Sequence, residues 1–126
     1  MNKLNIETIH HDRVTIEIRD SSDGIEISLD GDIDMEDPGV ILDPLFEKIH
    51  TGSVNSGIKN VTADFTRLNF LNSSGIKAIA KWIMKLTAVS DEQRYTINIV
   101  HNKNITWQVT SLPTLTYLLP DVVKIN

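Results

Sequence analysis

Val61-Thr62-Ala63-Asp64-Phe65-Thr66-Arg67-Leu68-Asn69-Phe70-Leu71-Asn72-Ser73-Ser74-Gly75-Ile76 runs from a buried strand, through an apolar loop, into a helix that opens on Asn-Ser-Ser-Gly. The helix is the clearest in the chain. Over residues 72–86, Ile76, Ile79, Ala80 and Ile83 fall at i, i+3, i+4 and i+7, with Lys77, Lys81 and Lys85 on the opposite side. Asn and Ser side chains accept hydrogen bonds from the first helical amides, which have no partner within the helix, so a cap at Asn72 or Ser73 explains the spacing by itself. The same amides, at the positive end of the helix dipole, also accommodate a phosphate. A phosphoryl group on a serine here adds about −1.5 to −2 charges. Lys77 follows Ser74 by three positions and Ser73 by four, within helical reach of such a group.

Upstream, Val14, Ile16 and Ile18 alternate with Thr15, Glu17 and Arg19, and Ile25, Ile27 and Leu29 alternate with Glu26, Ser28 and Asp30. That is the period of half-buried strands, and Ser21-Ser22-Asp23-Gly24 between them supplies a hairpin turn. Gly31-Asp32-Ile33-Asp34 closes the second strand. From Met35 to His50, Val40, Ile41, Leu45, Phe46 and Ile49 have helical spacing, with Pro38 in the first turn and Asp34, Glu36 or Asp37 near the N-terminus. Pro44 removes an amide donor, which predicts a kink or two short helices there. Thr51 to Gly57 is then a polar connection and Ile58 to Thr66 a central strand. Downstream, Tyr95 to Val100 is a strand, Lys103 to Ser111 and Pro113 to Leu119 are short helices, and Val122 to Ile125 is a terminal strand. This order predicts an α/β fold in one domain over residues 1–126, a mixed sheet with helices packed against it.

The bulk composition excludes several functions. Twelve Lys plus Arg against 17 Asp plus Glu give a net charge of −5 with no basic block, which offers nucleic acid or anionic lipid no footprint. Cysteine is absent, which removes disulfides and thiolate metal sites and suits a reducing cytosol. No apolar run approaches the roughly 20 residues of a membrane helix, and residues 1–7 lack a signal-peptide core, so a cytoplasmic protein is expected.

The strand-loop-helix unit ending in Asn72-Ser73-Ser74-Gly75, the hairpin leading to Gly31-Asp32-Ile33-Asp34, and the order of elements along nearly the whole chain resemble the STAS domain of bacterial anti-sigma factor antagonists. That family characteristically reads Asp-Ser-Ser-Gly or Asp-Ser-Thr-Gly at the helix start and Gly-x-Ile/Leu-Asp after the hairpin. The resemblance implies a non-catalytic interaction switch. Its phosphoacceptor would be Ser73, modified by a partner serine kinase that is itself anti-sigma factor-like and restored by a PP2C-like phosphatase. Asn72 departs from the family's Asp and removes one negative charge beside the acceptor, which leaves Ser74 as the next candidate. The longer stretch from Phe70 to Lys77, continuing to Trp82-Ile83, is similar to a SiaC-like branch. Asn72, Ser73, Ser74, Gly75, Lys77 and Trp82 are then the expected partner-facing residues, while Trp82, at the margin of the apolar stripe, also reads as a half-buried core aromatic. The alternative is a scaffold or ligand-binding STAS module that is never phosphorylated, with Asn72 only a cap.

Other chemistry finds less support in the sequence. Lys77, Lys81 and Lys85 read as a solvated face, and Trp107 as core. Asp32, Asp34, Glu36, Asp37 and Asp43 lack the ligand order of a calcium loop. His10, His11, His50 and His101 are scattered, no Gly-x-Ser-x-Gly elbow is present, and neither glycine-rich nucleotide loop occurs. No catalytic residue, metal site or cofactor is expected.

Overall fold

The computed structural model describes residues 2–126. Six strands, β1 (Ile9–His11), β2 (Val14–Ser21), β3 (Gly24–Ile33), β4 (Asn60–Leu71), β5 (Thr96–Val100) and β6 (Val123–Ile125), form one sheet in chain order, β1-β2-β3-β4-β5-β6. The first three pair antiparallel, and β3 to β6 pair parallel through the helices α1 (Gly39–Ser56), α2 (Ser73–Lys85) and α3 (Thr106–Leu115). Crossovers of this kind are almost always right-handed, so strands added in one direction place their helices on one face. The side chains agree. Val14, Ile16, Ile18, Val61, Ala63, Ile97 and Ile99 are buried with Leu42, Leu45, Phe46, Ile49, Ile79, Ile83 and Leu112 in one core. Thr62, Asp64, Thr96 and Asn98 face the other, more accessible side. The predicted mixed sheet and hairpin are present, and the central strand expected over Ile58–Thr66 is β4, which starts at Asn60; the three-residue β1 is too short to show alternation and was not expected.

Three expectations are corrected. First, Pro44 does not divide α1, which runs unbroken for 18 residues and takes in the supposed connection at Thr51 to Ser56. The carbonyl that Pro44 leaves without a donor belongs to Val40, which is 65% exposed, so water can meet it. Gly57, in the left-handed conformation at φ 70°, ends the helix, and the Ile58 amide bonds back to Ser53 O at 2.9 Å. Second, the two short C-terminal helices are one. Pro113 lies inside α3, and the carbonyl it leaves open is that of Val109, 47% exposed.

Third, the apolar loop before Asn72 is strand. β4 continues to Leu71 beside β3, with register shifts between the Ser28 and Asp30 pairs and between the Gly31 and Asp32 pairs. Each shift sets an extra β4 residue against β3, the arrangement of a β-bulge. Asp64 Oδ1 accepts from both the amide (2.9 Å) and the hydroxyl (2.6 Å) of Thr66 at the first bulge. Carbonyls released from the ladder find side chains instead. Buried Gln108 donates Nε2 to Phe65 O (2.5 Å) and Leu68 O (2.9 Å), and Trp107 donates Nε1 to Leu68 O (3.2 Å) and Asn69 O (3.0 Å).

A polar chain in the core joins α2 to α1 through the residue just before β5. Trp82 Nε1 donates to Tyr95 Oη at 2.8 Å, and Tyr95 Oη lies 2.7 Å from Nδ1 of His50. The tyrosine proton thus has Nδ1 as its acceptor, an assignment from the network that requires a neutral imidazole. Burial pushes the Tyr95 phenol above its ordinary range. Burial also depresses His50, against a rise from Glu47 and with a further lowering from Lys85. The stabilisation from neutral His50 is therefore fully present above the ordinary histidine pKa of about 6.5 and is lost as pH falls through the depressed value. The urea midpoint is expected to drop between pH 7.5 and 5.5, and less so in His50→Asn, whose amide can supply an acceptor near Nδ1 without titrating. An equal pH slope in both proteins counts against this assignment.

Candidate functional site

The carboxyl ends of β3 and β4 lie side by side, and α1 and α2 start from them. Ion pairs Asp43–Lys81 (2.9 Å) and Glu47–Lys85 (2.6 Å) join equivalent turns in the same order, so the two helices run parallel. Lys77, one turn nearer the start of α2, is exposed and in no ion pair among the described residues. The lysine stripe is a solvated face, as expected, and two of its members also make surface ion pairs to α1. Of the acidic cluster, Asp32 and Asp34 bind Arg13 at 2.9 and 2.6 Å, and no carboxylate caps α1. Glu36 and Asp37 are exposed and in no ion pair among the described residues, and they follow Met35, whose carbonyl reaches Asn72 at the start of α2. Among the described residues no group of three His, Asp or Glu side chains is arranged to hold a metal ion.

Asn72 organises the helix start. Its Oδ1 accepts the Gly75 amide at 2.9 Å, and its Nδ2 donates to Met35 O at 2.8 Å. Its backbone amide bonds to Ile33 O (3.1 Å), and its carbonyl accepts the Ile76 amide (3.1 Å). Ser73 and Ser74 follow as the first two helical residues, both exposed. Gly75 is buried. A Cβ there would meet Leu71 Cδ1 at 2.2 Å and Cγ at 3.0 Å, so the glycine lets α2 start close above the end of β4. Phe70, 47% exposed, adds an apolar ring to this end of the molecule.

The structure thus brings Asn72, Ser73, Ser74 and Lys77 to one end. Trp82 does not belong there, and its assignment as a partner-facing residue is corrected. It is 1% exposed, stacked on Phe46 at 4.6 Å between centroids with 2° between planes, and hydrogen-bonded to Tyr95. Its indole marks the α1–α2 interface. Trp107, expected in the core, is only half-buried, because it covers the open carbonyls of β4. The contribution of Met35 was not foreseen, since no pattern in sequence joins residues this far apart. Phe70 and the carbonyl-binding Gln108 were also missed.

No protein-family model matches the chain, and no curated protein matches it. Solved structures do. An anti-sigma factor antagonist from Mycobacterium paratuberculosis aligns with a TM-score of 0.58 and 22% identity, over 88% of this chain and 85% of that one. The anti-sigma factor antagonist SpoIIAA in its unphosphorylated form aligns at 0.56 and 18% identity, over 88% and 87%. The Bacillus cell fate determinant SpoIIAA in the phosphorylated form aligns at 0.53 and 17% identity, over 88% and 90%. The chain has the anti-sigma factor antagonist fold. Within that antagonist fold, known as the STAS fold, Asn72 is the cap that follows the fourth strand and Ser73 to Gly75 open the second helix. No described helix is long and apolar enough to cross a membrane.

Proposed function

We propose that the protein is a non-catalytic regulatory switch that works by partner exchange, as anti-sigma factor antagonists do. Its exposed end, formed by Asn72, Ser73, Ser74 and Lys77 with Gly75 beneath, docks on a serine kinase of the anti-sigma factor type. The kinase phosphorylates Ser73, and a PP2C-like phosphatase restores it. ATP and its metal ion belong to the kinase. The observation that carries this reading is the pair of exposed serines on the first turn of α2. They occupy a fold that SpoIIAA, solved both unphosphorylated and phosphorylated, also has.

The electrostatics favour a switch in docking. A phosphoryl group on Ser73 adds negative charge at the end of the molecule that carries the unpaired Glu36 and Asp37, with Lys77 alone of its stripe outside an ion pair to oppose it. A nucleophilic role for Ser73 would need an adjacent base, and among the described residues neither serine hydroxyl bonds to one.

Protein isolated from its native cells is expected to contain a species heavier by about 80 Da, the mass of one phosphoryl group, which maps to Ser73 and is missing in Ser73→Ala. The variant should keep the wild-type unfolding midpoint, because the Ser73 side chain caps nothing. Label that persists in Ser73→Ala and maps to Ser74 moves the acceptor by one residue. Absence of the heavier species in every growth state supports an unphosphorylated scaffold instead.

A further inference from the structure

Every polar group of Asn72 is engaged, and its side chain binds two different segments at once. Oδ1 holds the first turn of α2 through the Gly75 amide, while Nδ2 holds the β3–α1 loop through the Met35 carbonyl. We infer that Asn72 is a positioning residue that locks the acidic loop Asp34-Met35-Glu36-Asp37 to the serine-bearing helix start, and that this lock requires an amide. The inference does not depend on phosphorylation of either serine.

The chemistry separates the two halves of the lock. A cap needs only an acceptor, which Asp or Ser also supplies. The Met35 carbonyl needs a donor, and an ionised carboxylate has none. In Asn72→Asp, two acceptor oxygens would stand at hydrogen-bond distance, and the loop must move away while the cap on Gly75 survives. Among the described residues this is the only side-chain hydrogen bond or ion pair to Met35, Glu36 or Asp37. Asp34 is held separately by Arg13, the Met35 side chain packs on the core, and Asp37 O accepts the Val40 amide at 3.3 Å, so Nδ2 of Asn72 is the one bond that ties this loop to α2. An acid would regain the missing donor once protonated. Asn72→Asp is therefore the variant in which acidification restores a donor to the Met35 carbonyl.

Backbone ¹⁵N relaxation on the whole chain tests this. In the wild type, order parameters of residues 35–37 and of residues 74–76 are expected near the rigid value of about 0.85. In Asn72→Asp at pH 7, residues 35–37 should fall below about 0.6 while 74–76 stay rigid, and acidification through the carboxylate range should restore 35–37. Asn72→Ser should loosen the loop at both pH values. A loop that stays rigid at pH 7 in both variants overturns the inference. So does a loop in Asn72→Asp that remains loose on acidification while the wild-type loop is rigid.

Discussion

Gly31→Ala is expected to destabilise the protein by about 3 kcal/mol or more, seen as a large fall in the urea midpoint with little change in slope. Two costs coincide at this position. Gly31 has φ of +115°, a conformation that L-residues with a Cβ rarely adopt, and a Cβ built there lies 2.1 Å from the carbonyl oxygen of Arg13. That oxygen accepts the Asp32 amide at 3.0 Å, so it cannot retreat without breaking the hairpin bond. Gly57→Ala is the control. Gly57 also has positive φ, 70°, but nothing lies within 4 Å of its added Cβ, so the conformational cost stands alone at about 1–2 kcal/mol. Similar losses in the two variants would show that the contact with Arg13 is of no consequence. The neighbouring Asp32 and Asp34 both bind Arg13, so Gly31 also sets the ion-paired end of β3 beside the candidate site.

Trp82→Ala is expected to cost about 3–5 kcal/mol, through the cavity left between α1 and α2 and the loss of an aromatic stack. Trp82→Phe keeps a ring against Phe46 but removes the donor to Tyr95, an expected loss of about 1 kcal/mol. The two variants also decide what the indole is for. A core role predicts that Trp82→Phe leaves partner capture unchanged at temperatures where it is folded, while its unfolding midpoint falls. Weaker capture at full stability would return Trp82 to the docking surface.

Much of this architecture is legible in residue periods. The alternations at Val14–Ile18 and Ile25–Leu29 and the helical stripe of residues 76–83 give the hairpin and α2 almost as they stand. The errors have definite causes. Pro44 reads locally as a kink or restart and Pro113 as the start of a new helix, yet both lie inside continuous helices, and the residues whose carbonyls lose a donor, Val40 and Val109, are exposed. Such placement depends on tertiary exposure, which no local window contains. The extension of β4 did leave a trace. Val61, Ala63 and Phe65 step by two, then Leu68 and Leu71 step by three, and the buried positions keep inward only because each longer step absorbs a bulge. At the site, the cap and the exposed serines follow from residue type. The bond from Asn72 to Met35 spans 37 residues, and the burial of Trp82 rests on where α1 lies, so neither is encoded in a local pattern.

Because the strand order equals the chain order, no strand has to be inserted between two already paired. During synthesis each new strand meets the free edge left by the one before it, starting with a hairpin that needs only local closure. Growth begins and ends on strands of three residues, β1 and β6, so the finished sheet offers little length at either margin for another chain to extend. The same order puts the serine-bearing helix start ahead of β5 and β6. That start can form once β4 has docked on β3 and α2 has left the ribosome, before the last two strands close the sheet.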